Sequence, residues 1–149
     1  MKAVVQRVLS ASIAINGNKI GAINKGFLIL LGIEKDDGLE DLDYMIHKTV
    51  GLRIFKDEQN NMNLSIQDVA GEALVVSQFT LCADTRKGCR PSFINAAPPE
   101  IAENTYEKFC KKLQDENVPV HTGRFGAMME VDLTNDGPVT ILLDSRDRK

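Results

Sequence analysis

Two short segments carry most of the chemistry that side chains of this sequence could perform. One is Ser77-Gln78-Phe79-Thr80-Leu81, with two hydroxyls and an amide. The other is Asn135-Asp136-Gly137-Pro138-Val139-Thr140. On a strand, Val75, Ser77 and Phe79 share one face, and Val76, Gln78 and Thr80 share the other. Hydroxyls and an amide at a strand's end can line a pocket, or they can be satisfied polar groups of the sheet. Asn-Asp-Gly-Pro has turn chemistry: Asn and Asp bond to nearby backbone, Gly permits positive φ, and Pro removes a donor. The Val139–Leu143 run that follows is strand-like. Pattern alone leaves the Gly137-Pro138 bond open between trans and cis, and cis is the rarer state.

Conventional catalytic groups are sparse. There is no G-x-S-x-G elbow, P-loop, G-x-G-x-x-G or H-E-x-x-H. The two histidines are His47, on a helix surface, and His121, beside Thr122-Gly123. A Ser77–His121 dyad is conceivable, and a surface or packing role for His121 is the simpler reading. Cys82, Cys89 and Cys110 form no C-x-x-C, so neither a disulfide framework nor a zinc site is expected. An enzyme built from these residues needs a labile substrate, help from that substrate, or backbone groups aimed at developing charge. No cofactor or metal is expected.

Composition bounds the partners. The 149 residues carry a net charge of −3, with 43% apolar and 26% charged positions. That is ordinary for one globular domain, here 1–149, and argues against a protein that coats nucleic acid non-specifically. No run approaches the roughly 20 apolar residues of a membrane span, and Met1–Val8 does not read as a signal peptide. A cytoplasmic protein without membrane or DNA partners is expected. Local basic clusters remain: Arg86, Lys87 and Arg90 in one loop, Lys108, Lys111 and Lys112 on a helix, and Arg146, Arg148 and Lys149 at the end. The first follows the Ser77–Leu81 segment closely. A few phosphate contacts beside a pocket suit a single RNA end.

The elements that must position these groups follow from patterning. Residues 2–8 read as a strand, 11–16 and 19–23 as a hairpin about Asn16-Gly17-Asn18, and 27–33 as a strand buried on both faces. Leu39, Leu42, Met45, Ile46 and Val50 mark an amphipathic helix over 38–51. Strands are expected at 52–55 and 72–81. Pro98-Pro99 opens a second helix with Ile101, Tyr106, Phe109 and Leu113 apolar, closed by Asn117 and Pro119. Strands at 118–121, 127–133 and 138–143 complete the set. The expected class is α+β: a mostly antiparallel or mixed sheet, or partly open barrel, with two main helices.

Several segments, in order, resemble the D-aminoacyl-tRNA deacylase (D-tyrosyl-tRNA deacylase) family. They are Met1–Val8, Gly32–Asp37, Leu52–Phe55, Met62–Ser65, Ser77–Leu81, Gly88–Phe93, Thr122–Gly126 and Asn135–Thr140. The Ser77–Leu81 and Asn135–Thr140 motifs are the most specific. Met128 departs from the pattern, since many members carry Asp there. The resemblance implies a homodimer with active sites at the subunit interface. It implies a cis Gly137-Pro138 that enters the partner's pocket as a chirality gate, braced by Arg7. It implies hydrolysis of the ester of D-aminoacyl-tRNA, with glycyl-tRNA also accepted. Thr80 would orient the ester or a water, or attack as a nucleophile; the Ser77, Gln78 and Phe79 amides would be oxyanion donors. Arg86, Lys87 and Arg90 would meet the tRNA. Two alternatives stand beside it: a non-catalytic RNA-binding or interaction protein on the same fold, and a general esterase using Ser77 or Thr80.

Overall fold

The computed structural model describes residues 1–148; Lys149 of the basic tail lies outside them. Eight strands and two helices follow in order: β1 Lys2–Ile15, β2 Asn18–Ile23, β3 Gly26–Gly32, α1 Leu39–Gly51, β4 Phe55–Lys56, β5 Met62–Leu64, β6 Glu72–Ser77, α2 Pro99–Asp115, β7 Val120–Thr122 and β8 Glu130–Asp144. The main sheet runs β2-β1-β3-β6-β7, with β8 on β1. β1 is antiparallel to β2, β3 and β8, whereas β3–β6 and β6–β7 are parallel. The expected α+β class with a mixed sheet is what the chain adopts. Parallel neighbours need a crossover of a dozen or more residues; α1 lies in the first crossover and α2 in the second. The ends of the sheet nearly meet. A Cβ built on Gly21 of β2 would lie 3.1 Å from the Thr122 carbonyl oxygen of β7, so the sheet curls into a nearly closed barrel.

Alternation sorts the core into two bodies. Phe27, Ile29 and Leu31 of β3, with Ala73 and Val75 of β6, pack toward Leu42, Met45 and Ile46 of α1 and Tyr106, Phe109 and Leu113 of α2. Leu28, Leu74 and Val76 point the other way, into the barrel with Val8, Ile13 and Ile23. β3 is thus buried on both faces, as its unbroken apolar run implies. Each such side chain, fully buried, contributes about 1.5–3 kcal/mol. Ile101 departs from the helix pattern: it is exposed, and Ala102 takes the inward position. Asn16 and Gly17 both have positive φ, as a two-residue hairpin turn requires.

Four strand expectations need correction. Of the strand expected over 52–55 only Phe55 is extended into one, the two-residue β4 that pairs with β5. Residues 2–8 and 11–15 form one strand; Leu9 bulges out where the pairing skips from Val8–Asn135 to Ser10–Thr134. The strand expected over 127–133 begins at Glu130 and runs through the Asn-Asp-Gly-Pro segment to Asp144. Gln6 pairs with Thr140 and Val8 with Asn135, so residues 136–139 swell out opposite the single residue Arg7. The strand expected over 72–81 ends at Ser77, because its partner β3 ends there too: Leu31 pairs with Ser77.

Candidate active site

Past Ser77 the chain folds into one turn of 3₁₀-helix, Phe79–Cys82. The Gln78 N–H donates to the Leu31 carbonyl at 2.8 Å, the last bond of the ladder. Leu81 N–H then closes on Gln78 O and Ala83 N–H on Thr80 O. Gly32 makes room for the turn: a Cβ there would fall 2.9 Å from Leu81 Cβ and 3.1 Å from Gln78 O. Beneath, the Tyr106 hydroxyl of α2 donates to the Val75 carbonyl at 2.7 Å and pins β6 two residues before the turn. The expected two-face sorting of Ser77 to Thr80 therefore fails, since these residues leave the strand. With its N–H already bonded to Leu31, Gln78 is lost as an oxyanion donor. Phe79 stands at the open start of the turn, where N–H groups lack helical partners.

This turn forms one wall of a cleft of about 810 Å³. Ser77, Gln78, Phe79 and Thr80 come together here. Ala96–Pro99 and Phe125–Met129 line it as well, together with the buried Val76 and Ile33. Phe79 and Phe93 meet edge-on with centroids 5.0 Å apart. Not one lining residue is titratable. The Gln78 side-chain amide donates to Thr80 Oγ1. The Thr80 hydroxyl therefore receives a donor rather than a base, and its own hydrogen is left to donate. His121 does not join: its Nε2 lies 3.4 Å from Glu72 Oε1, outside the cleft lining, so no Ser77–His121 dyad forms. Phe93, Ala96–Pro99 and Phe125–Met129 carry no catalytic side chain, and residue type alone does not mark them as cleft walls. Met128, at 91% exposure, stands at the mouth.

Arg7 is not an ordinary strand-edge arginine. It is 3% exposed. Its Nε donates to the Asp136 carbonyl at 3.1 Å and lies 3.2 Å from the Asp136 carboxylate; Nη1 donates to the Ile54 carbonyl at 2.5 Å. It thus sits under the swelling that contains Gly137 and Pro138. Gly137 has φ +130°, and a Cβ on it would press against Val139 Cγ2 at 2.8 Å and Arg7 Nη2 at 3.0 Å. Only glycine fits without displacement. Asn135 completes the brace: its Oδ1 accepts the Val139 N–H, and its Nδ2 donates to Thr140 Oγ1. The Gly137-Pro138 bond is cis. Both residues are exposed, and neither lines this chain's own cleft.

The basic loop leaves the cleft turn directly and is clasped by paired backbone bonds between Asp84 and Ser92. Arg86, Lys87 and Arg90 are all exposed. Arg86 is forked onto the Asp84 carboxylate, with contacts of 2.9 and 2.6 Å, and its side-chain hydrogen bonds hold that acid at about 2. Lys87 and Arg90 make no ion pair among the described residues. No group of three His, Cys, Asp or Glu among the described residues is arranged to hold a metal. No described helix is long and apolar enough to cross a membrane.

Known proteins resemble this chain along nearly its whole length. The family described as D-Tyr-tRNA(Tyr) deacylase matches residues 4–144. A protein of Clostridioides difficile (strain 630) named D-aminoacyl-tRNA deacylase is 61% identical, covering 97% of each chain. Its namesake in Finegoldia magna is 59% identical over 98% of this chain and 99% of its own. Among solved structures, one titled c-Myc DNA Unwinding Element Binding Protein superposes with a TM-score of 0.92 at 44% identity, covering 97% of this chain and 98% of its own. Another, titled as a probable eukaryotic D-amino acid tRNA deacylase, shares the fold at 0.81 with 16% identity, over 95% and 97%. An uncharged cleft walled by Ser77–Thr80, and relatives matched from end to end, lead to one conclusion: this chain belongs to the D-aminoacyl-tRNA deacylase family.

Proposed function

We propose that this chain hydrolyses the ester linking a D-amino acid to the 3′ end of tRNA, releasing free amino acid and tRNA. The observation that carries the reading is the cleft without a titratable side chain. The residues that this chain contributes to the cleft include no general base. Such a cleft suits an ester that is already labile and has a neighbouring 2′-OH on its own ribose to assist attack. The protein then contributes orientation and exclusion of water. Thr80, fixed by Gln78, donates to the ester, and the Ser77 and Phe79 N–H groups are the candidates left to stabilise the developing oxyanion. A general esterase working through Ser77 or Thr80 finds no support, because neither has a base beside it.

Selection against L-aminoacyl-tRNA is assigned to Gly137-Pro138, supplied by a second copy of the chain. What supports this is a backbone projection held rigid by Arg7 and Asn135, exposed and directed outside its own cleft. β8 pairs only with β1 among the described residues, and Leu142 of β8 is 77% exposed. A C2 homodimer would cover that surface. A 10⁴-fold preference takes about 5.5 kcal/mol, while one methylene in an apolar pocket gives only about 1–3 kcal/mol. A main-chain wall that clashes with the L side chain supplies more and leaves the D side chain unread. Glycine, without a side chain, passes the same wall. Lys87 and Arg90 meet tRNA phosphates beside the cleft.

The test is deacylation of matched D- and L-tyrosyl-tRNA. The D ester should be hydrolysed and the L ester spared. A terminal 2′-deoxy substrate should bind and turn over barely at all; unchanged turnover would return the chemistry to a protein nucleophile. A second reading, nucleic-acid binding without catalysis, draws on the 0.92 superposition with the protein titled as binding a DNA unwinding element. It predicts tight retention of either ester with no hydrolysis.

A further inference from the structure

The cleft opens where two paired strands part. β6 and β7 run parallel through Ala73–Val120 and Leu74–His121, and their last pair is Val75–Thr122. Past that pair β6 stays on β3 as far as Ser77 and then turns into Phe79–Cys82. The other branch leaves Thr122 for the loop that ends where β8 begins at Glu130. Both branches line the cleft, Val76–Thr80 on one and Phe125–Met129 on the other. A ladder holds two strands about 4.8 Å apart only where they are paired. Beyond Val75 and Thr122 another group has to set the spacing.

Tyr106 of α2 reaches both branches at this fork. Its hydroxyl donates to the Val75 carbonyl at 2.7 Å, on the residue that closes the pairing. Its ring leans on Phe125 of the other branch, with centroids 6.1 Å apart and planes tilted by 49°. Tyr106 is 6% exposed, and burial raises its hydroxyl above the ordinary tyrosine value, so the group keeps its proton and stays a donor. Packing around this ring is incomplete. A second cavity, of about 340 Å³, is lined by Tyr106, Cys110 and Phe125 among others. Phe125 thus borders two open spaces, and the Tyr106 ring lacks packing partners on its cavity side.

We infer that Tyr106 is a positioning residue for the deacylation: it sets the separation of two cleft linings, Ser77–Thr80 and Phe125–Met129, through one hydroxyl and one ring. It does not line the cleft itself, so its effect passes through Val75 and Phe125. Without the hydroxyl the ring is free to tip into the cavity beside it. The Ser77–Thr80 turn then loses its anchor on that side, and the Thr80 hydroxyl drifts from the ester. A loss of alignment of this kind slows the chemical step. It leaves the phosphate contacts of Lys87 and Arg90 as they were. That the cleft is where the ester is hydrolysed rests on the function proposed above; the fork itself does not.

Tyr106→Phe deletes the hydroxyl and keeps the ring. Its kcat on D-tyrosyl-tRNA should fall at least about tenfold while KM stays within about twofold. Hydrogen exchange at the Gln78 amide should be at least about tenfold faster, and the nuclear Overhauser contact between the ring at 106 and Phe125 should weaken. Phe109→Leu is the control for lost stability alone: Phe109 lies on the same helix, is 0% exposed and does not line the cleft. That variant should lower the Tm at least as far as Tyr106→Phe does, yet keep a near-wild-type kcat when assayed well below its Tm. Wild-type kcat in Tyr106→Phe, wild-type exchange at Gln78, or an equal fall of kcat in Phe109→Leu overturns the inference. The exchange and ring readouts need no substrate. A wild-type protein that hydrolyses no D-tyrosyl-tRNA would therefore count against the function, while exchange at Gln78 in Tyr106→Phe still decides whether Tyr106 holds the turn.

Discussion

The two motif segments are built in opposite ways. Ser77–Thr80 is a backbone turn that presents side chains: main-chain bonds from Gln78 to Leu31 and from Ala83 to Thr80 set its shape. Asn135–Thr140 is a set of side chains that presents a backbone: Arg7 and Asn135 hold the main chain of 136–139 out of the sheet. The first is concave and lines its own cleft. The second is convex and points away from it. A concave turn tolerates side-chain exchange better than displacement, whereas a convex one stands or falls with its brace. That contrast ranks the expected effects of substitution.

Arg7→Ala should be the most damaging single change. It strands the buried Ile54 carbonyl and leaves Asp136 without its cation, a loss of about 2–4 kcal/mol. A roughly 10 °C fall in Tm is expected. Deacylation of D-tyrosyl-tRNA should drop by at least about 100-fold, as for a 1 Å misplacement. Arg7→Lys should not rescue it, because an ammonium lacks the fork that reaches Ile54 and Asp136 at once. Full activity in Arg7→Lys would show that charge, not shape, holds the projection.

Gly32→Ala attacks the concave side from behind. Its new methyl would overlap Leu81 Cβ and crowd Gln78 O, at about 1–3 kcal/mol. The turn should shift rather than the fold fail. Circular dichroism is expected to stay native while the deacylation rate falls about tenfold or more. Wild-type rate with unchanged stability would mean that the turn's position is not what orients the ester.

This ranking explains what was readable from residues alone. Alternation located β3, β6 and both helices, because each buries a continuous face. It misjudged 78–81, where Phe79 and Leu81 keep strand-like residue types after the partner strand has ended. It split β1 at Leu9-Ser10, where a bulge exposes Leu9 without ending the strand. It read Asn135–Pro138 as a turn between elements; the turn chemistry is real, but β1 runs on beneath it and the strand resumes in the same direction. The burial of Arg7 beside Asp136 and the bond from Tyr106 to Val75 join residues far apart in the chain. Local pattern holds no trace of them.

Thr80 separates side-chain from backbone contributions within the concave turn. If its hydroxyl only donates to the ester, Thr80→Ser should stay near wild type. Thr80→Ala should lose about five- to tenfold, one hydrogen bond of ~1 kcal/mol. Steady-state rates on D-tyrosyl-tRNA, with mass spectrometry for an acyl-enzyme, check this. Abolished turnover in Thr80→Ala together with a trapped acyl-Thr80 would make it the nucleophile.

The smallest effect concerns pH, and it tests whether either segment titrates at all. The cleft has no ionisable lining, so the rate on D-tyrosyl-tRNA should show no bell between pH 6 and about 9 of the kind that a protein acid and base produce. Acid sensitivity should instead come from the start of α1. Burial pushes the Asp41 carboxyl upward, but the Gly38 N–H, Ser145 and the Arg148 guanidinium outweigh it and hold the acid at about 2. A folded-state value below the unfolded one means that the contribution is complete above the unfolded pKa. It is lost as pH falls from about 4 toward 2. Solvent at this rim screens the pair, so the loss is about 1 kcal/mol. Urea midpoints should therefore decline more steeply over that interval in wild type than in Asp41→Asn, and the two should converge at its acid end. Parallel curves would assign the acid sensitivity to another carboxylate and leave Asp41 as a helix cap alone.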